Sequence, residues 1–264
     1  MRQILIIGDV QPASHGILIH QSRLIRQEIK MMDAKIIVAL DMSNEDDVSS
    51  LVSQLNPTLC KLKVGKELFT SHGPRITEKL VKLGFSVFLD LKFHDIPNTV
   101  MKACSAAREL GVWMVNVHAL GGSDMIRAAR EALGTSEDRP LLTAVTVLTS
   151  MDQNNLQEIG FKFEPSALVD RLTSIAYQSG ANGVVCSANE ADLVKAKYGH
   201  DFLRVTPGIR SSGGSLDDQK RVVTPSDAMR RGSSYLVVGR PITQSDNPLG
   251  VLRRMNQEIS ETER

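Results

Sequence analysis

From residue 35 onwards, short apolar runs alternate with segments in which apolar residues recur every three or four positions. Runs of four to eight apolar, β-branched residues bounded by polar or breaking residues predict strands, and the three-to-four spacing predicts helices. The predicted strands are Lys35–Asp41, Thr58–Gly65, Ser86–Phe93, Met114–Ala119, Leu141–Thr149, Gly183–Ser187, Phe202–Thr206 and Tyr235–Gly239. Strands that alternate with helices in this way indicate parallel βα units.

The intervening segments carry the start and stop signals of helices. Ser43 and Asp46 predict a capping box ahead of the first helical repeat. Several helices begin with proline and end before glycine, the usual asymmetry of helix ends: Pro74 with Gly84, Pro165 with Gly180, and Pro225 with Gly232. A last helix is predicted near 248–259.

Eight strands, each followed by a helix, predict an α/β fold of the (β/α)8 TIM-barrel type, in a single domain over 34–264. A doubly wound open sheet is the alternative, but it usually has fewer strands and often a glycine-rich first turn. No G-x-G-x-x-G or Walker sequence follows any predicted strand.

The first 33 residues fit this repeat poorly. They precede two methionines, Met31 and Met32, and a strong strand. We therefore expect residues 1–33 to be an N-terminal appendage to the barrel. The segment is also compatible with an upstream start codon, with the natural protein beginning at one of the two methionines.

Composition excludes several classes of function. The 264 residues carry a net charge of +1, so no global field attracts nucleic acid or a membrane surface. No apolar run approaches the roughly 18 residues of a membrane span. Cys60, Cys104 and Cys186 have no metal-ligand spacing and lie in apolar runs, which predicts buried free thiols in a reducing compartment. We expect a cytoplasmic protein.

The stretch 88–99 places three charged residues in and just after an apolar strand. Asp90 and Lys92 are two apart and so share a face, while Asp95 lies beyond the strand end, before Pro97. We expect a lysine held between carboxylates, which favour its charged form. A permanent ammonium can donate a proton but cannot act as a Schiff-base nucleophile. A structural ion pair is the alternative interpretation.

Other polar residues gather at the predicted strand ends, where barrels of this type have their sites. Asp41, Lys63, Asp90 and Lys92 could form an alternating chain of charges across the barrel mouth. Asn116 and His118 end the fourth strand, and Thr149 and Ser150 follow the fifth. His118 could be a ligand or a base, or simply a hydrogen-bonded histidine.

Two carboxylates, Asp90 and Asp95, could hold Mg²⁺, but Lys92 competes for them, so no metal is expected.

The last two strands suggest a phosphate site. Gly239 permits close backbone approach, and Arg240 supplies a planar fork of donors. Phosphate sites after strands seven and eight recur in this fold. The seventh strand leads into Arg210 and then a polar, glycine-rich loop that includes Gln219, which is suited to a mobile lid. An ordinary solvated loop, with Arg240 in a surface ion pair, is the alternative.

The run Asp90-Leu91-Lys92-Phe93-His94-Asp95-Ile96-Pro97-Asn98-Thr99 resembles the signature of the orotidine 5′-phosphate decarboxylase family, in its bacterial form. Four more segments agree in order along the chain: Val38–Asp41, Leu62–Gly65, Val205–Arg210 and Val238–Pro241. The resemblance extends from about residue 35 to about residue 256 and leaves out the N-terminal segment.

The resemblance implies a dimeric barrel that converts orotidine 5′-monophosphate to uridine 5′-monophosphate and CO₂, the last step of de novo UMP biosynthesis. It implies neither metal nor organic cofactor. By the same resemblance, Lys92 protonates the carbon that loses CO₂, Asp90 faces the departing carboxylate, Lys63 bridges Asp90 and the ribose, and Asp41 binds ribose hydroxyls.

The remaining roles implied by the resemblance concern the base, the phosphate and the second subunit. Thr149 and Ser150 would meet the base. The phosphate would be held by Arg210, Gln219, Gly239 and Arg240, with the loop of Gln219 closing over it. The residues Asp95, Ile96 and Thr99 would complete the site of the neighbouring subunit.

Two rival functions stay open from the residues alone. A Mg²⁺-dependent sugar-phosphate decarboxylase of the keto-gulonate 6-phosphate type shares the Asp-x-Lys-x-x-Asp pattern. A non-catalytic nucleotide-binding barrel is the other, although a pure binder has no need of Lys92. A Schiff-base aldolase fits less well, because Lys92 is expected to stay charged.

Overall fold

A computed structural model describes residues 33–210 and 223–262. Its strands are β1 (Ile36–Leu40), β2 (Lys61–Gly65), β3 (Val87–Phe93), β4 (Met114–His118), β5 (Leu141–Val145), β6 (Gly183–Val185), β7 (Leu203–Thr206) and β8 (Tyr235–Val238). Each strand pairs in parallel with the next, and β8 closes on β1 to complete the barrel. The predicted (β/α)8 TIM barrel is therefore confirmed.

Helices connect the strands around the outside of the barrel. They are α1 (Glu45–Ser53), α2 (Lys66–His72), α3 (Pro74–Lys82), α4 (Pro97–Glu109), α5 (Gly122–Ala132), α6 (Gln153–Glu158), α7 (Pro165–Gln178), α8 (Ala191–Tyr198), α9 (Pro225–Arg230), α10 (Arg240–Thr243) and α11 (Pro248–Thr262). A 3₁₀ turn over Ala119–Gly121 precedes α5. The three predicted helices that begin with proline do so at α3, α7 and α9.

Two strand boundaries differ from the sequence-based prediction by three residues or more, the others by at most two residues, and one cap also differs. Strand β2 begins at Lys61 rather than Thr58, because Asn56 accepts the Thr58 amide and hydroxyl and holds a turn there. Strand β5 ends at Val145 rather than Thr149, since Val145 is the last residue paired with β6. The cap of α1 is Asn44 rather than Ser43, because its side chain accepts the amides of the first turn.

The core has two layers that follow the alternation along each strand. In β1, Ile36, Val38 and Leu40 face the helices, whereas Ile37 and Ala39 belong to a smaller cluster inside the barrel. Because successive residues of a strand point to opposite faces, the next inward position after Ala39 is Asp41. The inner cluster therefore fills the barrel and leaves polar residues at its carboxyl end.

The other end of the barrel is closed by a lysine and two aromatic rings. The Lys61 ammonium lies 4.7 Å from the Trp113 ring centroid and 5.5 Å from that of Tyr235. The two rings pack edge to face at 5.0 Å. Such a cation over aromatic faces is favourable when it is removed from water, and it leaves the opposite end as the open one.

The three cysteines are buried and unpaired, as the sequence predicts. Burial raises the pKa of the Cys60 and Cys104 thiols to about 12 and also raises that of Cys186. These thiols are therefore protonated at neutral pH. Within residues 33–210 and 223–262, no helix has the length and apolar character needed to cross a membrane.

Candidate active site at the carboxyl ends of the strands

A cavity of about 750 Å³ opens at the carboxyl ends of the barrel strands. Its wall includes nine of the residues that the sequence singled out: Asp41, Lys63, Asp90, Lys92, Thr149, Ser150, Arg210, Gly239 and Arg240. They come from strands β2 and β3 and from the segments after β1, β5, β7 and β8. The fold therefore brings together residues that are up to 199 positions apart in the chain (240 − 41).

Four of these residues form a continuous chain of ion pairs. Lys63 Nζ donates to Asp41 Oδ1 at 2.8 Å and lies 3.5 Å from Asp90 Oδ2. Lys92 Nζ donates to the other oxygen of Asp90, Oδ1, at 2.6 Å. The alternating order of charge expected from the sequence is thus present in the structure.

The middle of this chain is removed from solvent. Lys63 and Asp90 are only 7% and 9% exposed. An isolated buried charge is costly, so each of these groups depends on its neighbours for compensation. The Lys92 side chain is more accessible, at 27%, which leaves its ammonium available to a molecule in the cavity.

Lys92 has an unusual backbone conformation. Its φ is +51°, the one positive value among the described non-glycine residues. The pairing of β3 with β4 shifts here: Leu89 pairs with Val115, whereas Phe93 pairs with Val117. Three residues of β3 therefore stand opposite one residue of β4, Asn116. Strained backbone of this kind concentrates at functional sites.

Asn116 meets the bulge with both ends of its side-chain amide. Its Oδ1 accepts the Lys92 backbone N–H at 2.8 Å, and its Nδ2 donates to Asp90 Oδ1 at 2.7 Å. The residue is fully buried. Asp90 Oδ1 thus receives bonds from both Lys92 and Asn116, which fixes the carboxylate.

Asp95 does not join the ion-pair chain of its own subunit. The expectation that Lys92 lies between two carboxylates is wrong within the described residues of one chain, where its ion pair is with Asp90. Strand β3 ends at Phe93, and the Asp95 carboxylate turns back to accept the Ile96 amide at 2.6 Å. Asp95, Ile96 and Thr99 are all exposed, and Ile96 retains 66% of its surface.

Two arginines, which follow β7 and β8, also line the cavity. Arg210 is 9% exposed, and its Nη1 donates to the Ile209 carbonyl. Its backbone N–H donates to Val223, so the two ends of the intervening loop are bridged. Gly239 precedes Arg240, and a Cβ at position 239 would make an ordinary van der Waals contact with Ala39 Cβ at 3.7 Å. Gln219 and the predicted lid lie outside the described residues.

His118 is a structural histidine in this geometry. Its Nδ1 accepts the Leu120 amide at 3.4 Å, and its ring stacks on His94 at 5.4 Å. Burial, with smaller contributions from His94, Lys66 and Lys92, lowers the pKa of His118 to about 4. The ring is therefore neutral at pH 7. Across residues 33–210 and 223–262, no group of three or more His, Cys, Asp or Glu side chains is arranged for a metal ion.

Sequence reasoning missed some of the cavity wall and the role of Asn116. Lys66, Thr243 and Gln244 also line the cavity. Lys66 follows the second strand directly, so its place at a strand end was a usable signal. Thr243 and Gln244 had no such signal, because they reach the cavity through the short helix α10.

A parallel (β/α)8 barrel with paired charges at the carboxyl ends of its strands is typical of TIM-barrel enzymes, whose active sites lie at that mouth. The family model described as "Orotidine 5'-phosphate decarboxylase / HUMPS family" matches residues 34–255. The chain therefore belongs to the orotidine 5′-phosphate decarboxylase / HUMPS family.

Individual relatives agree with this assignment. Orotidine 5′-phosphate decarboxylase of Nitrosomonas europaea is 58% identical over 87% of this chain and 99% of its own length. The enzyme of that name from Aliivibrio fischeri strain MJ11 is 55% identical over 87% and 99%. Among solved structures, orotidine 5′-phosphate decarboxylase from Lactobacillus acidophilus is 40% identical with a TM-score of 0.77, covering 86% of this chain and 99% of that one.

Proposed function

We propose that this chain decarboxylates orotidine 5′-monophosphate with Lys92 as the proton donor. The chain is a carboxy-lyase of the orotidine 5′-phosphate decarboxylase type, as its family and its relatives at 54–58% identity indicate. The observation that carries the residue assignment is the Asp41–Lys63–Asp90–Lys92 chain, which is buried at Lys63 and Asp90 and ends with an accessible ammonium in the cavity. The product is uridine 5′-monophosphate, which completes de novo UMP synthesis.

The ammonium addresses the main difficulty of the reaction. When CO₂ leaves, the electron pair of the broken C–C bond stays on a pyrimidine carbon with little resonance relief. A positive charge already fixed beside that carbon stabilises the developing negative charge without reorganisation. Lys92 then transfers an N–H proton to the carbon and recovers a proton from solvent.

The other members of the chain position the substrate around Lys92. Asp90 faces the substrate carboxylate, where like charges repel until CO₂ departs. Lys63 bridges Asp90 and the ribose, and Asp41, whose side chain is 60% exposed, has room to accept ribose hydroxyls. Thr149 and Ser150 lie on the cavity wall where the base would contact them.

We assign phosphate binding to the arginine side of the cavity. Arg210 and Arg240 supply charged donors, and Gly239, which has no side chain, lies beside Arg240 on the cavity wall. Gln219, on the loop after Arg210, would close over the phosphate. Binding energy from this remote group can lower the reaction barrier by driving closure.

We further propose a homodimer whose two active sites are shared. The exposed Asp95, Ile96 and Thr99 follow β3 and contribute nothing to the cavity wall of their own subunit among the described residues. An isoleucine with two thirds of its surface exposed beside an active site is suited to contact with a second copy. In that dimer, Asp95 would supply the second carboxylate near the partner's lysine.

We also propose a domain boundary and a cellular location for the protein. The family match begins at residue 34, which supports residues 34–264 as the catalytic barrel and 1–33 as an appendage. Three unpaired buried cysteines support a reducing compartment, and we assign the enzyme to the cytoplasm.

The ultraviolet decay of orotidine 5′-monophosphate tests this function. The assay is run on the purified parent protein with a chelator present, and on the Lys92→Ala and Lys102→Ala variants. Lys102 is an exposed lysine on α4, so its variant controls for loss of a charge. We expect conversion by the parent and by Lys102→Ala, and at least a roughly 10³-fold loss in Lys92→Ala.

The possible outcomes test the proposed substrate and the proposed proton donor separately. If the parent does not convert the nucleotide but decarboxylates a sugar phosphate only with Mg²⁺, the proposed substrate is wrong. If the parent is active and Lys92→Ala keeps its rate, the substrate stands and the proton donor is another group.

A further inference from the structure

We infer that Asn116 is a positioning residue, which holds both the carboxylate and the backbone turn that aim the Lys92 ammonium. The inference rests on the proposed role of Lys92. Asn116 does not line the cavity, so it does not touch substrate in this geometry. Its influence must pass through the two residues that it binds, Asp90 and Lys92.

The first contact fixes the turn that carries the lysine. At the bulge, the shift of register leaves the Lys92 N–H opposite the side chain of Asn116 rather than a β4 carbonyl. A left-handed conformation costs a residue with a Cβ about 1–2 kcal/mol. The 2.8 Å bond from Lys92 N to Asn116 Oδ1 compensates for that cost and sets the direction in which the side chain leaves the strand.

The second contact fixes the partner of the ammonium. Asn116 Nδ2 donates to Asp90 Oδ1, the same oxygen that accepts Lys92 Nζ. With two donors on one oxygen and Lys63 near the other, the carboxylate cannot rotate without losing a bond. The ammonium is therefore held from both ends, through its backbone and through its counter-ion.

Only a side chain that carries both a hydrogen-bond acceptor and a donor at its end can bind the Lys92 N–H and the Asp90 carboxylate together. Asn116→Ala removes both, whereas Asn116→Asp keeps the acceptor and the shape but loses the donor when ionised. An ionised carboxylate there would also face Asp90 with like charge. A protonated one would restore a donor to Asp90, so the activity of Asn116→Asp should recover as the pH is lowered.

The matched control is Thr143→Val. Thr143 is fully buried on β5 and stands beside Asn116 in the sheet register, yet its hydroxyl bonds to the Val115 carbonyl rather than to the charge chain. The Thr143→Val variant therefore shows how the loss of a buried polar group beside Asn116 affects stability when the charge chain is left intact. Melting temperature is measured for every variant.

The experiment measures kcat for orotidine 5′-monophosphate, the Kd for the product uridine 5′-monophosphate, and the pH profile. For Asn116→Ala we expect kcat to fall about 10- to 100-fold while product Kd changes less than about threefold, since a small misplacement costs rate more than binding. For Asn116→Asp we expect a pH optimum shifted to the acid side of the parent's optimum. Thr143→Val should keep the parent's kcat and profile.

Three results would overturn the inference. They are an unchanged kcat in a folded Asn116→Ala, a loss of rate in Thr143→Val as large as that in the Asn116 variants, or a product Kd that weakens as much as kcat falls. If Asn116→Ala does not fold, an unshifted pH profile in Asn116→Asp decides against it. An inactive parent protein would instead contradict the proposed function.

Discussion

Gly65 lies so close to Lys63 that a Cβ at position 65 would stand 2.9 Å from the lysine Nζ and 3.2 Å from its partner, Asp41 Oδ1. The glycine has φ −92° and ψ −178°, which any residue can adopt. Its requirement is therefore for space and not for backbone freedom. The absence of a side chain at 65 lets the Lys63–Asp41 pair form.

Gly65→Ala should therefore impair catalysis more than folding. The added methyl group displaces the Lys63 ammonium, so we expect kcat/KM to fall about tenfold and the free energy of unfolding to change by less than about 1 kcal/mol. Steady-state kinetics and urea unfolding measure the two effects. In an Asp41→Asn background, the same substitution should cost less, because the pair is already weakened. Equal costs in both backgrounds would contradict this explanation.

The alternation of side chains along strands made much of this site predictable from sequence. Inward positions at the ends of β1, β2 and β3 are charged, and a closed barrel brings such ends together, so Asp41, Lys63 and Asp90 could be placed in one cluster. The eight strands could likewise be predicted, because breakers bound each apolar run.

The bulge at Lys92 could not be predicted in the same way. Nothing in Asp-Leu-Lys-Phe indicates a left-handed residue, since the conformation depends on the register of β3 against β4 and on the Asn116 side chain. Both are tertiary. The direction of the Asp95 carboxylate was missed for a related reason, because it depends on how the loop after β3 turns.

The strain at Lys92 can be measured by comparing two variants at this position. Both Lys92→Ala and Lys92→Gly lack the ammonium, so their difference in stability reports the backbone. Because glycine adopts positive φ without a Cβ penalty, we expect Lys92→Gly to be more stable by about 1 kcal/mol in urea unfolding.

The same pair of substitutions at Lys102 provides the control. Lys102 lies inside helix α4, where glycine is the poorer residue, so the alanine variant should be the more stable by about 1 kcal/mol. The sign of the difference should therefore reverse between the two positions. An alanine variant that is also favoured at position 92 would show that φ there is not positive in solution.

Arg240→Ala should affect only substrates that carry a phosphate. Loss of charge-assisted hydrogen bonds costs about 1.5–3 kcal/mol, which corresponds to a fall of roughly 10- to 150-fold in kcat/KM for orotidine 5′-monophosphate. The slow reaction of the nucleoside orotidine should not change. Arg253→Ala, on the exposed side of α11, is the control for loss of an arginine. Equal losses on nucleotide and nucleoside would argue against phosphate contact.

Shared active sites predict that two inactive variants restore each other. Lys92→Ala lacks the proposed proton donor, and Asp95→Asn lacks the carboxylate proposed to reach the partner's site. In a heterodimer of the two variants, one site contains both substitutions. The other site takes Lys92 from the Asp95→Asn subunit and Asp95 from the Lys92→Ala subunit, so it is intact. Random reassortment of equal amounts makes half of the dimers mixed, so we expect roughly a quarter of the parent activity.

The assay compares the mixture with each variant alone after dilution and reconcentration. A mixture that remains at the sum of its inactive components, although mass measurement shows mixed dimers, would place Asp95 outside the partner's site. A monomeric protein would contradict the dimer itself. The exposed Lys102→Ala variant, mixed with Lys92→Ala, measures the activity that a fully competent partner contributes.

His118 should make the barrel less stable in acid. Its pKa is about 4 in the folded protein, against about 6.5 for an ordinary histidine, so between these values the unfolded chain binds more protons. The stability associated with the neutral ring is therefore complete above about pH 6.5, declines as the pH falls, and is fully lost below about pH 4. The decline from this one group is at most about 3.5 kcal/mol, since each pKa unit corresponds to about 1.4 kcal/mol. His118→Asn keeps an acceptor for the Leu120 amide but does not titrate, and its unfolding free energy should fall less steeply across this range. Urea unfolding of both proteins at several pH values between 4 and 7 measures the difference, in which the titration of groups away from His118 cancels. Parallel curves for the two proteins would mean that His118 titrates normally and that its ring is not held neutral by burial.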